Sequence, residues 1–180
     1  MKYKIGIIQG RLSAAPPGRL QYFPKKYNLE FIYAKKIGFG HIEMFSERKF
    51  NSKNPIWNKE GIKILKQNKI LTYSFVDDFI LKKNINKKMY QYYQKLIIQL
   101  KKLKIKLLTI PFYGNNKITY KNYLNYVDFI NFLSVNCSKN KIRLCIESNI
   151  SPDLFFLLKK KIYNNFYFIF FTGNRILLKR

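Results

Sequence analysis

A chain of 180 residues with a formal charge of +26 is too apolar to be a disordered polycation, because 47% of it is hydrophobic and 17% aromatic, a composition that folds around a core. Its length suits one domain, residues 1–180, able to bury roughly two-thirds of the surface its unfolded form exposes. Two cysteines, Cys137 and Cys145, are too few for a disulfide scaffold or a thiolate metal cage. No apolar run reaches the roughly 18 residues of a membrane span or the roughly 7 to 15 of a signal-peptide core, so the expected setting is a reducing cytoplasm without a membrane.

The first apolar run, Tyr3 to Ile8, predicts a strand that ends in Gln9, Gly10 and Arg11. Leu29, Ile32, Tyr33 and Lys36 follow at helical spacing and run up to Gly38, a C-terminal stop. His41 to Phe45 predicts a second strand, whose chemistry-bearing end is read at Glu43. In "NPIWNKEG" Pro55 and Asn58 turn the chain and cap a second helix bearing Ile62, Leu65 and Lys66. Ile70 to Val76 predicts a third strand, ending in Asp77 and Asp78. A long third helix is marked by Met89, Tyr92, Tyr93, Leu96, Ile97 and Leu100, with the tyrosines read as packing surface against a sheet.

The fourth strand, Lys106 to Ile110, runs into Pro111, with Tyr113 and Asn115 beyond it. After Thr119 a fourth helix carries Tyr123, Tyr126, Val127, Ile130 and Leu133. Arg143 to Ile146 predicts a fifth strand ending in Glu147, Ser148 and Asn149, and Ser151 with Pro152 is an N-cap followed by proline at the first helical position. Phe166 to Phe171 predicts the sixth strand, ending in Asn174 and Arg175. The runs are continuous and not alternating, as in parallel strands covered on both faces. Strand and helix in strict alternation specify a single α/β domain.

In a parallel βα barrel the loops leaving the C-terminal ends of the strands carry the chemistry. Glu43, Asp77, Asp78 and Glu147 are four of the nine acids, whereas windows at six strand ends would collect roughly one by chance. Carboxylates gathered there suit a divalent cation, for which oxygen ligands are natural. Each also has a plainer reading as a helix cap or solvated side chain, least so Glu147, which follows the apolar "LCI". Arg11 and Arg175 are candidates for a sugar phosphate or sugar hydroxyls. His41, the one histidine, begins a strand at the opposite end and reads as structural. "GFG" at Gly38 to Gly40 precedes a strand, the wrong context for a dinucleotide loop.

"KIGIIQGRLS", "FIYAKKIGFGHIEMFSE" and "NPIWNKEGIKIL" resemble the sugar phosphate isomerase/epimerase family, the xylose isomerase-like TIM barrels, and "LLTIPFYGNN", "IRLCIESNISPDLF" and "FFTGN" resemble its fourth, fifth and sixth strands in order. The resemblance implies a parallel (β/α) TIM barrel of which this chain carries about six of eight βα units, a C-terminal truncation. It also implies a divalent metal, Mn, Mg or Zn, that polarises sugar oxygens while a glutamate moves a proton next to the carbonyl. Glu147 matches the family's fifth-strand glutamate, both catalytic base and metal ligand. Gln9, Arg11, Glu43, Asp77, Asn149 and Asn174 are the corresponding expectations for substrate binding. The family's sixth strand ends in "DTGN" or "DIGN", whose Asp binds metal; here Phe171 stands in that place.

The charge admits a second class of function. The cations are mostly Lys, spread from Lys2 to Lys179 among abundant Asn, Ile, Tyr and Phe, the pattern of A/T-rich coding, whereas phosphate recognition favours clustered Arg. The partner that the resemblance implies is a small sugar or sugar phosphate. A homo-oligomer joined through exposed strand edges, a non-catalytic remnant, and a basic protein binding nucleic acid or another polyanion are the alternatives.

Overall fold

In this computed structural model the described residues are 5–14, 17, 22–67, 71–163 and 166–169. The predicted beginning of the first strand at Tyr3, the end of the last at Phe171, and Asn174 and Arg175 lie outside them. The elements alternate without exception: β1 (Gly6–Ile8), α1 (Tyr27–Ile37), β2 (His41–Ser46), α2 (Lys59–Gln67), β3 (Leu71–Asp77), α3 (Lys87–Lys102), β4 (Leu107–Pro111), α4 (Leu124–Lys139), β5 (Arg143–Glu147), α5 (Pro152–Lys161) and β6 (Tyr167–Ile169). Short 3-10 turns at Pro55–Trp57, Asp78–Lys82 and Gly114–Asn116 interrupt the loops that leave β2, β3 and β4.

Helix ends follow the local chemistry of the sequence. Gly38, at φ 97°, takes the left-handed position that closes α1, and its N–H reaches the carbonyls of Ala34 and Lys35. Asn58 Oδ1 accepts from the Gly61 N–H at 2.6 Å, Asn86 accepts from Lys88 and Met89, and Ser151 accepts from Leu154 at 3.3 Å ahead of Pro152.

All strand pairs are parallel and the strand order is β1-β2-β3-β4-β5-β6. Each βαβ unit therefore steps to the next position in the same direction, which winds the wall of a barrel; a doubly wound sheet would reverse its order. Every strand starts at one end of the sheet and every helix ends there.

Register fixes which residues share a face. Ile42, Met44, Phe75, Leu108, Ile110, Leu144 and Ile146 form the outer face and pack under Phe31, Leu65, Leu96, Ile97, Phe129, Leu133 and Leu158 of the five helices. Each such side chain, fully buried, contributes roughly 1.5 to 3 kcal/mol. His41, Glu43 and Phe45 alternate with them on the inner face, as do Thr109, Cys145 and Glu147.

One irregularity decides where the acids point. Ile42 pairs with Thr72 but Glu43 pairs with Ser74, so Tyr73 is an extra residue in β3. A bulge re-phases everything after it. Ser74 is brought level with Glu43, and Asp77 is placed opposite Ser46, on the helix side of the sheet.

Candidate active site

Glu147 is the last residue of β5, level with Pro111 at the end of β4. Glu43, expected to end β2, stands in its middle, three strands away on the same inner face, and Asp78 opens the turn that leaves β3. The charges of both reach Glu147. Burial raises the Glu147 pKa above the ordinary carboxylate value, the Tyr113 side chain beside it lowers it, and the charges of Asp78 and Glu43 raise it again. Burial likewise raises Glu43 and Asp78, opposed by the Ser74 hydroxyl in one case and the Arg48 charge in the other. The Tyr113 phenol is held well above its usual range by burial and by Glu147. A half-buried carboxylate whose pKa is drawn upward is a stronger base than an ordinary one, as a general base requires.

The segment after β1 is built around a residue that the hydropathy pattern hides. Glu30 of α1 is 1% exposed. Its carboxylate accepts from the N–H of Gly10 at 2.6 Å, the N–H of Leu12 at 3.2 Å and the hydroxyl of Ser13 at 2.7 Å. The clamp rotates the helix away from the expected stripe: Ile32 and Tyr33 are 58% and 45% exposed, while Glu30, Phe31 and Ala34 are buried. Gly10 sits at φ 91°, and a Cβ there would lie 2.5 Å from the Tyr22 carbonyl oxygen, so the turn admits only glycine. The sequence signal for the clamp is an acid beside Phe31 and one turn before Ala34, on a helix face with no other reason to carry a charge.

The other expected residues are distributed as follows. Gln9 is buried; its Oε1 accepts from the Phe45 N–H at 3.4 Å, and its Nε2 has no hydrogen-bond partner among the described residues. Arg11 and Asn149 are exposed at the same end of the sheet. Asn174 lies outside the described residues. Asp77 is not brought to Glu147. It is fully buried under α3, where Ser46 and Tyr92 both donate to its Oδ1, the latter at 3.0 Å, and the Tyr93 hydroxyl faces it. Tyr92 and Tyr93, expected only to pack, are the polar partners of a buried acid. Asp78, its neighbour, is close enough for its charge to raise Glu147.

His41 stands at the start of β2 with its ring against Gly6 and Tyr73, away from the strand ends. Cys137 and Cys145 are free, buried thiols, pushed by burial up to about 12 and about 11; neither is a nucleophile near neutrality.

The expected divalent cation was tested against these donors. Among the described residues no three His, Cys, Asp or Glu side chains stand close enough together to hold a metal ion. The convergence of Glu43, Asp78 and Glu147 is electrostatic and not a ligand shell, so the donors present do not fit a tightly held cation. A cavity of about 680 Å³ lies between the β1–α1 segment and α1, walled by Tyr22, Phe23, Leu29, Tyr33 and Glu47, and none of Glu43, Asp78 and Glu147 lines it. A smaller one of about 150 Å³ opens on the inner face at Glu43, Ser74 and His41. No described helix is long and apolar enough to cross a membrane.

No protein-family model matches the chain, and no curated protein matches it. Solved structures do. It is similar to a D-psicose 3-epimerase from Clostridium cellulolyticum H10 solved with D-tagatose, at 17% identity and TM-score 0.66 over 91% of this chain and 61% of that one. A xylose isomerase-like TIM barrel protein from Mycobacterium smegmatis in complex with magnesium superposes at 13% identity and TM-score 0.70, over 99% and 68%. The IOLI protein with a bound zinc atom does so at 14% and 0.58, over 89% and 59%. The chain thus spans about 61% of the length of the D-psicose 3-epimerase. Six parallel strands in sequential order, the acids at their ends and these superpositions agree: this chain has the fold of the xylose isomerase-like TIM barrels.

Proposed function

We propose that the chain serves proton transfer next to the carbonyl of a sugar or sugar phosphate, the reaction of isomerases and epimerases, with Glu147 as the group that carries the proton. The observation behind this reading is that Glu147, at the C-terminal end of β5, has Tyr113 beside it and feels the charges of Asp78 and Glu43. Glu147 takes the proton from the carbon next to the carbonyl, the electron pair moves onto the carbonyl oxygen as an enediolate, and the proton returns to the other face or the neighbouring carbon. Like charges around Glu147 favour its protonated form, which keeps the abstracted proton available for return. The superposed structures are sugar epimerases and metal-holding barrels. The donors described here do not complete a cation site, and no step above runs through one. That open donor set favours a second reading, a sugar-binding domain without catalysis.

Deuterium uptake separates the two. A ketohexose incubated with the protein in D2O should exchange the hydrogen beside its carbonyl, followed by proton NMR, and Glu147→Gln should slow that exchange by about a hundredfold or more. Equal exchange by wild type and variant would remove Glu147 from the role. No exchange by either, with sugar still bound, would leave the non-catalytic reading.

A further inference from the structure

The nine acids of the chain are not scattered over the fold. Glu30, Glu60 and Asp153 stand in the first turns of their helices; Asp77 and Glu147 end strands, and Glu47 and Asp78 follow them. Asp128 lies near the start of α4 and Glu43 in the middle of β2. None occupies a helix's last turn, a turn between a helix and the next strand, or the first two residues of a strand. The end of the sheet opposite Glu147 therefore carries no carboxylate at all.

That same end is crowded with cations. Every helix carries lysine in its last turn, Lys36, Lys66, Lys102, Lys139 and Lys161 among them. Helix carbonyl ends attract cations in any protein, so this alone is ordinary. The turns beyond them are not. Lys104 and Lys106 lead into β4, Lys141 and Arg143 lead into β5, and all four are exposed. Lys104 and Lys141 are the only non-glycine residues with positive φ among those described, both at 58°. Asparagine is the easier residue in that left-handed position, and A/T-rich coding supplies it as readily as lysine. Compositional drift explains how many lysines the chain has but not their choice at these two turns.

Aromatic rings are interleaved with the charges. Tyr163, between α5 and β6, is 91% exposed, on a turn pinned by Asn131, which accepts from the Tyr163 N–H at 2.9 Å and donates to the Lys161 carbonyl at 3.3 Å. The Arg143 guanidinium lies over the rings of Tyr73 and Tyr167, 6.0 and 5.9 Å from their centres, and bonds the Tyr73 hydroxyl. An acid-free cationic face bearing exposed, anchored aromatic rings matches the chemistry of a single strand of nucleic acid, with lysines along the phosphates and rings under the bases. An anionic membrane asks instead for an apolar wedge beneath the charges. We propose that the face formed by the helix C-termini, Lys104, Lys106, Lys141, Arg143 and Tyr163 binds single-stranded nucleic acid, at the opposite end of the sheet from Glu147 and independently of it.

Two charge-matched variants test the location, with fluorescein-labelled oligouridylate as probe and fluorescence anisotropy as readout. One carries Lys104→Asn, Lys141→Asn, Lys106→Gln and Lys160→Gln; the other, at the opposite end, carries Lys49→Gln, Lys53→Gln, Lys87→Gln and Lys88→Gln. Asparagine suits the left-handed turns, and circular dichroism confirms that both variants fold. The first should bind at least about tenfold more weakly at physiological salt, with the slope of log affinity against log salt shallower by about 3; the second should stay within about threefold of wild type. Tyr163→Ala should weaken binding about fivefold or more with the salt slope unchanged, as lost stacking does. Equal losses in the two quadruple variants would mean diffuse charge without a site. Capture by phosphatidylserine vesicles without oligouridylate binding would mean a membrane surface. Either result, or no binding by wild type, overturns the proposal.

Discussion

Replacing Asp77 by asparagine should make the protein more stable at neutral pH, although it removes a fully buried acid with two hydrogen-bond donors. Burial raises the Asp77 pKa from 3.8 to about 6, against the opposing pull of Ser46, Tyr93, Tyr92 and the Phe79 backbone. An acid whose folded pKa lies above its unfolded one binds more protons when folded, so stability is greatest below the unfolded value and falls as pH rises through the window from 3.8 to about 6. At about 1.4 kcal/mol per pKa unit, ionisation in place costs the fold about 3 kcal/mol at neutral pH. Asparagine avoids that cost and keeps the two side-chain donors: its Oδ1 accepts from Ser46 and Tyr92 as the carboxylate does, and its amide takes the place of Oδ2, which has no hydrogen-bond partner among the described residues. Urea unfolding at pH 7.5 should show Asp77→Asn more stable by about 1 to 3 kcal/mol. At pH 4 the gain should shrink toward zero. A destabilisation that is the same at both pH values would show that the ionised carboxylate anchors the tyrosines, and would refute the reasoning.

Further outcomes follow from the same geometry. Glu30→Ala removes the three bonds that hold the segment after β1 and should destabilise by about 3 kcal/mol or more, with amide exchange at Gly10 and Leu12 accelerated first. Gly10→Ala should cost at least about 2 kcal/mol in chemical unfolding, from the left-handed backbone and the Tyr22 carbonyl together. Asn54→Ala loses the acceptor for the Ile56 N–H at 3.2 Å and the donor to the Phe45 carbonyl at 3.1 Å, and should cost about 1 to 2 kcal/mol in the same assay. Because Glu147 must be ionised to take a proton and its pKa is raised, exchange of the substrate hydrogen should increase with pH to a point above the ordinary carboxylate range; a rate flat down to pH 4 would contradict this.

The strands and helices were legible because buried parallel strands are continuous apolar runs, and because Gly38, Asn58 and Ser151 mark helix boundaries through chemistry local to a few residues. The position of Glu147 at the end of β5 was legible for the same reason, as an acid closing an apolar strand. The facing of the acids after β3 was not. It depends on the extra residue at Tyr73, a property of pairing with β2 that no single-strand pattern contains, and so Asp77 points under α3 while the charge of Asp78 reaches Glu147. The orientation of α1 was hidden as well. A carboxylate satisfied by two backbone N–H groups and a hydroxyl outweighs the apolar stripe of Ile32 and Tyr33, and those partners are 17 to 20 residues away in sequence.

The convergence of Glu43, Asp78 and Glu147 can be measured directly by carbon-13 NMR titration of the Glu147 carboxyl in the folded protein. A pKa above the ordinary glutamate value, falling when Glu43→Gln and Asp78→Asn are introduced together, is the expected result. An ordinary value that the double variant leaves unchanged would contradict it, because the three acids would then not share one site.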